Sequence, residues 1–196
     1  MMKILTIIVS YNFEPWIDRC LGSLKASLQP TDTLVIDNGS SDRTVEILRK
    51  NYPEIRLIAN HANLGFGKAN NIGMQIALKE DYDAVFLLNQ DAWIDPKTLG
   101  SLAQESLRHP DYAILSPVHL NGNGTELEKG FASYVQVSSR NNLPAENRLT
   151  ECPFINAAFW FIPTGILKKT GGFSSLFYHY GEDKDYVNRI HFHGYR

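Results

Sequence analysis

The chain has 196 residues, 43% hydrophobic and 20% charged, with 14 glycines and 9 prolines, a composition that excludes disordered, collagen-like and coiled-coil classes. With 19 Lys and Arg against 21 Asp and Glu, the formal charge of -2 offers no basic field for a nucleic-acid backbone, so nucleic acid is not an expected partner. One domain is expected, burying roughly 70% of its unfolded surface without disulfide staples.

Residues 5–9 are a short apolar run that stops at Ser10-Tyr11-Asn12, the form of a buried strand ending in a polar tip. Pro15 suits a first helical turn. Behind it Trp16, Cys20, Leu24 and Leu28 recur every four residues, with Ile17 and Leu21 alongside, and predict one apolar stripe. Residues 33–36 predict the second strand, which runs into Asp37-Asn38-Gly39-Ser40-Ser41-Asp42, a turn followed by an N-cap for a helix over 44–50. A third strand is expected at 55–58. After Asn63-Leu64-Gly65-Phe66-Gly67, the spacing of Ala69, Ile72, Gly73 and Ile76 predicts a helix lying on a sheet.

Residues 84–88 form a continuous apolar run, as a central parallel strand covered on both faces requires, and end in Asn89-Gln90-Asp91. Asp95-Pro96 then predicts a capped helix through Leu99, Leu102, Ala103 and Leu107. From 118 to 150 the periodicity is lost, and a long polar, turn-rich loop is expected. A strand over 154–162, the turn Gly171-Gly172-Phe173 and a helix from Glu182 to about His193 complete the chain. This alternation predicts an α/β fold with a mostly parallel central sheet flanked by helices, in which ligands sit outside the carboxyl ends of the strands. The polar tips of the first, second and fourth strands are expected to converge on one rim.

Cys20 and Cys152 belong to no C-x-x-C spacing, which fits a reducing compartment. The longest apolar stretch, residues 157–162, is far short of the ~20 residues of a membrane helix, and the first residues lack a signal pattern, so the expected location is cytoplasmic.

Asp91 just beyond a buried strand can hold a hard cation such as Mg or Mn while phosphate oxygens complete its shell, although a plain loop acid fits the same position. Glu182 and Asp183 open the last helix, where the dipole favours acids in any case; the functional reading makes one of them a general base. The aromatic stretch Phe177-Tyr178-His179-Tyr180-Gly181 would form a pocket wall around that base. Gly65-Phe66-Gly67 lacks the third glycine of a dinucleotide fingerprint and reads as a tight turn that can also approach phosphate or ribose. The six histidines show no zinc spacing, and no G-x-S-x-G elbow is present.

In this order, Ile8-Val9-Ser10-Tyr11-Asn12, Val35 to Asp42, Asn63 to Gly67, Leu88-Asn89-Gln90-Asp91 and Tyr180-Gly181-Glu182-Asp183 resemble the family 2 nucleotide-sugar glycosyltransferases, and most of all their rhamnosyltransferase-like members. The resemblance implies the GT-A fold, a Rossmann-like sandwich. It further implies a single catalytic domain, with residues 1–117 as the nucleotide-sugar half and 118–196 as the acceptor and catalytic-base half, shortened at the C-terminal end.

By position, the resemblance places Ser10, Tyr11, Asn12, Asp37, Asn38, Gly65, Lys68, Asn89 and Gln90 among the donor-binding residues. Asp91 is similar to the last residue of the family's D-x-D signature, with Asn89 where that signature has its first acid. Asp183 is similar to the catalytic base, with Glu182 beside it, and Asp185 and Arg189 match the pattern downstream.

The implied activity is an inverting, metal-dependent transfer of sugar from a nucleotide-diphosphate donor to a saccharide or lipid-linked acceptor, in cell-surface polysaccharide synthesis. A peripheral place at the inner membrane face is compatible with it. Two alternatives stay open: a catalytically inactive GT-A-like module that binds nucleotide sugar, and a nucleotidyltransferase. The second is ranked lower because Ser10-Tyr11-Asn12-Phe13-Glu14-Pro15 contains no glycine.

Overall fold

The structure is a computed structural model and describes residues 1–143, 148–177 and 180–196. The elements run β1 (Ile4–Ser10), α1 (Ile17–Lys25), β2 (Asp32–Asp37), α2 (Thr44–Asn51), β3 (Arg56–Ala59), α3 (Phe66–Lys79), β4 (Ala84–Leu88), α4 (Thr98–Arg108), α5 (Lys129–Val135), β5 (Phe159–Pro163), α6 (Thr164–Thr170) and α7 (Glu182–Phe192). They form an α/β fold around a five-stranded sheet of order β3-β2-β1-β4-β5. β1 pairs in parallel with β2 and β4, β2 with β3, and β5 runs antiparallel to β4.

Period-two alternation sends side chains of the central strands to two cores. Leu5, Ile7, Leu34, Ile36, Val85, Leu87, Trp160 and Ile162 pack with α3, α6 and α7. Ile4, Ile8, Val35, Phe86, Leu88 and Phe161 pack with α1 and α4 on the other face. Both faces of β4 are therefore covered, and all five of its residues are buried.

Several local expectations change. α1 stops at Lys25, so Leu28 falls beyond the stripe and is exposed; Leu107 of α4 is exposed as well. Asp95 does not cap α4 directly. Its Oδ1 accepts from Lys97 N at 2.9 Å and its carbonyl from Thr98 N at 3.0 Å, which sets the turn that leads into the helix. Within 118–150 the chain forms α5, capped by the Glu128 carboxylate, which accepts from Gly130 N and Phe131 N. The strand expected over 154–162 is confined to β5, because only there does a partner strand supply hydrogen bonds. α6, unforeseen in the sequence, follows β5 at once.

Candidate functional site

The carboxyl ends of β1, β2 and β4 are laced together by side chains at their tips. Ser10 and Asp37 are paired in register; Ser10 Oγ donates to Asp37 Oδ1 at 3.0 Å, and Asn38 N donates to the Ser10 carbonyl at 2.7 Å. The Asp37 carboxylate is 1% exposed and also accepts from Gly39 N at 3.2 Å, Ser40 N at 2.9 Å and Ser40 Oγ. Four donors thus fill it, and its local effect is to hold the 37–40 turn. Gly39 takes the left-handed conformation that this turn needs, with φ 82°. Asn12 N donates to Ser40 Oγ at 2.8 Å, and Asn12 Oδ1 accepts from Ser41 N at 3.0 Å.

Gln90 grips the Tyr11 peptide from the β4 side: Tyr11 N donates to Gln90 Oε1 at 2.9 Å and Gln90 Nε2 donates to the Tyr11 carbonyl at 3.1 Å. Asn38 extends the rim towards α3, with Nδ2 donating to the Gly65 carbonyl at 3.3 Å and Oδ1 accepting from Asn60 Nδ2 at 3.1 Å. Gly65, at φ 81°, turns the chain into α3, whose first turn carries the exposed Lys68. The expected convergence of the tips Ser10-Tyr11-Asn12, Asp37-Asn38 and Asn89-Gln90-Asp91 on one rim follows from the parallel pairing of β1, β2 and β4, whose carboxyl ends lie at the same edge of the sheet.

Asp91 is exposed in the turn that follows β4, where Ala92 N donates to the Asn89 carbonyl at 3.1 Å. Among the described residues its carboxylate makes no hydrogen bond or ion pair. A free carboxylate is a hard oxygen donor, which suits Mg or Mn. Cys20 lies close by, where burial, and secondarily the Asp91 charge, push its thiol up to about 12. Among the described residues no three or more His, Cys, Asp or Glu side chains are placed to hold a metal. An ion at Asp91 would have to complete its shell from the ligand and water.

The second acidic group lies at the start of α7. Tyr180 and Gly181, at φ 64° and 94°, make the turn into the helix, and Glu182, Asp183 and Asp185 stand in its first turn, where the dipole favours them. Asp183 is half-buried, and its Oδ1 accepts from Lys184 N at 2.8 Å. Glu182 is 7% exposed, and its Oε2 is buried with no hydrogen-bond partner among the described residues. A Cβ at Gly67 would stand 3.0 Å from Phe173 Cβ and 3.7 Å from Glu182 Cβ, so the first turns of α3 and α7 abut.

That contact sets Glu182 and Asp183 on the edge of the sheet where the strand tips also lie. Of the aromatic stretch before α7, Tyr178 and His179 fall outside the described residues.

Two clamps hold α7 there, one of them from Asn71, a residue missed in the sequence. Asn71 on α3 takes both sides of the Phe173 peptide, accepting from its N–H and donating to its carbonyl, each at 2.8 Å. Arg189 pairs with Asp185 at 2.9 Å and donates to the carbonyls of Thr170 and Gly172 at 2.7 and 2.8 Å. Asp185 and Arg189 therefore tie α7 to the end of α6. An Asn beside Ile72 and Gly73 in a sheet-facing helix was the one available hint.

The chain matches the model of the family described as Glycosyl transferase family 2 over residues 6–171. It is 31% identical over 128 residues to the N-acetylglucosaminyl-diphospho-decaprenol L-rhamnosyltransferase of Mycobacterium tuberculosis, a match covering 61% of this chain and 42% of that protein. Among solved structures, mannosyltransferase PcManGT from Pyrobaculum calidifontis, in complex with GDP-Man and Mn2+, superposes with a TM-score of 0.75 at 22% identity, covering 100% of this chain and 53% of that one. S. aureus TarS 1-349 in complex with UDP gives 0.72 at 21% identity, covering 96% and 55%. The chain thus spans about half the length of the relatives it matches. Among the described residues no helix is long and apolar enough to cross a membrane. With the family match running from β1 to the end of α6 and the same fold in those neighbours, the chain belongs to glycosyl transferase family 2 and has the GT-A fold.

Proposed function

We propose that this chain is the GT-A catalytic domain of an inverting glycosyltransferase, moving a sugar from a nucleotide-diphosphate donor to a saccharide or lipid-linked acceptor in cell-surface polysaccharide synthesis. The observation that carries this reading is the shared edge: a laced polar rim at the ends of β1, β2 and β4, with the acidic first turn of α7 packed against α3 beside it. Residues 1–117 form the donor half and 118–196 the acceptor and base half. A cytoplasmic place, at the inner membrane face, would bring nucleotide sugar and lipid-linked acceptor together.

Ser10, Tyr11, Asn12, Asn38 and Gln90 receive the nucleotide, and Asp37 contributes by fixing the turn that presents them. Gly65 and Lys68 stand where donor phosphates can approach the start of α3. Asp91, with Asn89, is the place for Mg or Mn, which when bound supplies countercharge to the departing diphosphate. Asp183 takes the proton of the acceptor hydroxyl as that oxygen attacks the anomeric carbon from the face opposite the leaving group, so configuration inverts. Glu182 meets a sugar hydroxyl with the oxygen that has no partner among the described residues.

Calorimetric titration with UDP, dTDP and GDP, each with and without Mn, tests donor class and metal dependence together. One nucleotide binding at least tenfold tighter with Mn is expected, and no binding of any of the three would overturn the reading. Nucleotide binding without hydrolysis or transfer of any nucleotide sugar would instead favour an inactive binding module.

A further inference from the structure

Gly67 is a glycine that its own backbone does not call for. It is buried in the first turn of α3 and is not among the glycines of positive φ, so alanine could adopt the same conformation and would favour the helix. What excludes a side chain is the space around it. A Cβ there would stand 3.0 Å from Phe173 Cβ, 3.5 Å from Phe173 Cγ and 3.7 Å from Glu182 Cβ. The first of these is well inside the carbon–carbon optimum of roughly 3.5–4.0 Å.

Phe173 is in no position to yield. Its peptide is held on both sides by Asn71, one turn further along the same face of α3. Its ring is 4% exposed, with centroids 5.8 Å from Phe66, 5.8 Å from Trp160 and 5.3 Å from Tyr186. Gly172 completes the fit, because a Cβ there would overlap Asn71 Oδ1, the atom that accepts from Phe173 N. A side chain at residue 67 would therefore push on α7 by two routes: directly at Glu182, and through the Phe173 ring at Tyr186, one turn beyond Glu182 on the same helix.

The residues on either side of Gly67 are the exposed Lys68 and, one further back, the Gly65 turn. The acids of α7 and the start of α3 are thus brought together at the one residue of this turn that is buried and has no side chain. We propose that Gly67 is a positioning residue: its bare Cα sets the separation between α3 and the first turn of α7, and so the reach of Asp183 to the reacting sugar. The proposal rests on the glycosyltransferase reading above and adds to it a residue that acts through α7.

Hydrolysis of UDP-GlcNAc, GDP-mannose and dTDP-rhamnose by the parent protein, with Mn present, identifies a working donor without need of an acceptor. kcat and the Kd of the matching nucleotide diphosphate are then measured for Gly67→Ala and Gly67→Val, well below each variant's Tm. Relieving the shortest contact takes about 0.5 Å in Gly67→Ala and more in Gly67→Val. Since 1 Å of misplacement can cost about 10²-fold, kcat should fall about tenfold in the first and about 10²-fold in the second, with nucleotide Kd within about threefold. In an Asp183→Asn background the same two changes should cost less than about threefold, because the group they displace is already gone.

A purely structural role would lower Tm and leave this split and this coupling absent. Unchanged kcat in both variants, nucleotide Kd weakened by the same factor as kcat, or equal losses with and without Asp183 would each overturn the proposal. If Gly67→Val does not fold, Gly67→Ala decides. Equal turnover in parent and variants removes this role alone, whereas no hydrolysis of any of the three donors by the parent protein removes the reading beneath it.

Discussion

Gly73, buried at the centre of α3, is where helix and sheet come closest. A Cβ added there would stand 2.7 Å from Ile7 Cδ1 and 2.8 Å from both Cγ1 and Cγ2, against a carbon–carbon optimum of roughly 3.5–4.0 Å. Ile7 is 0% exposed in β1, and its branched Cβ leaves χ1 little freedom, so the side chain cannot swing aside. The helix must retreat by about 1 Å. Overpacking of this kind costs about 1–3 kcal/mol, and three simultaneous contacts place Gly73→Ala near the upper end. Alanine returns about 1 kcal/mol of helix propensity.

A net loss of about 2 kcal/mol follows, or about 4–8 °C in Tm for a chain of this size. Urea denaturation of a double-mutant cycle with Ile7→Ala checks the reasoning, because that change removes all three clashing atoms. In the Ile7→Ala background, Gly73→Ala should be neutral or stabilising by up to about 1 kcal/mol. If the single Gly73→Ala variant is stabilised, or the cost is the same in both backgrounds, the close-packing argument fails.

Asp183→Asn should lower turnover about 10²- to 10⁴-fold with donor affinity nearly unchanged, as read by steady-state kinetics and nucleotide titration. Gln90→Ala removes both bonds to the Tyr11 peptide at an exposed site, so it should cost less than about 1.5 kcal/mol of stability while raising KM for donor more than it lowers kcat. His119 gives a pH signature. Burial pulls its folded value down to about 4, so as pH falls below ~6.5 the unfolded chain takes up the proton first and stability declines. About 3 kcal/mol should be lost between pH ~6.5 and ~4, measured as Tm against pH, and His119→Gln should flatten that part of the profile.

Much of the donor half was legible because its signals are local. The strand at residues 84–88 needed only five consecutive apolar residues, and the tips at Ser10, Asp37 and Asn89 are polar residues directly behind apolar runs. The region beyond residue 117 was harder to read. α5 buries only Phe131, too little to leave a periodic stripe, and α6 is a seven-residue helix that begins immediately after β5. Leu28 and Leu107 continued helical patterns, yet nothing packs over them, since pattern reports what a face offers and not what covers it.

Alternating and helical periods, set by backbone geometry, determined the order of strands and helices and the polar ends of the central strands, and the spaced motifs carried the family likeness. Only the tertiary structure decided that β5 runs antiparallel, that Gln90 grips the Tyr11 peptide, and that Asn71 and Arg189 hold α7 against α3 and α6. Those contacts join residues far apart along the chain, for which no local period exists, and they bring the acids of α7 to the edge of the sheet where the strands end.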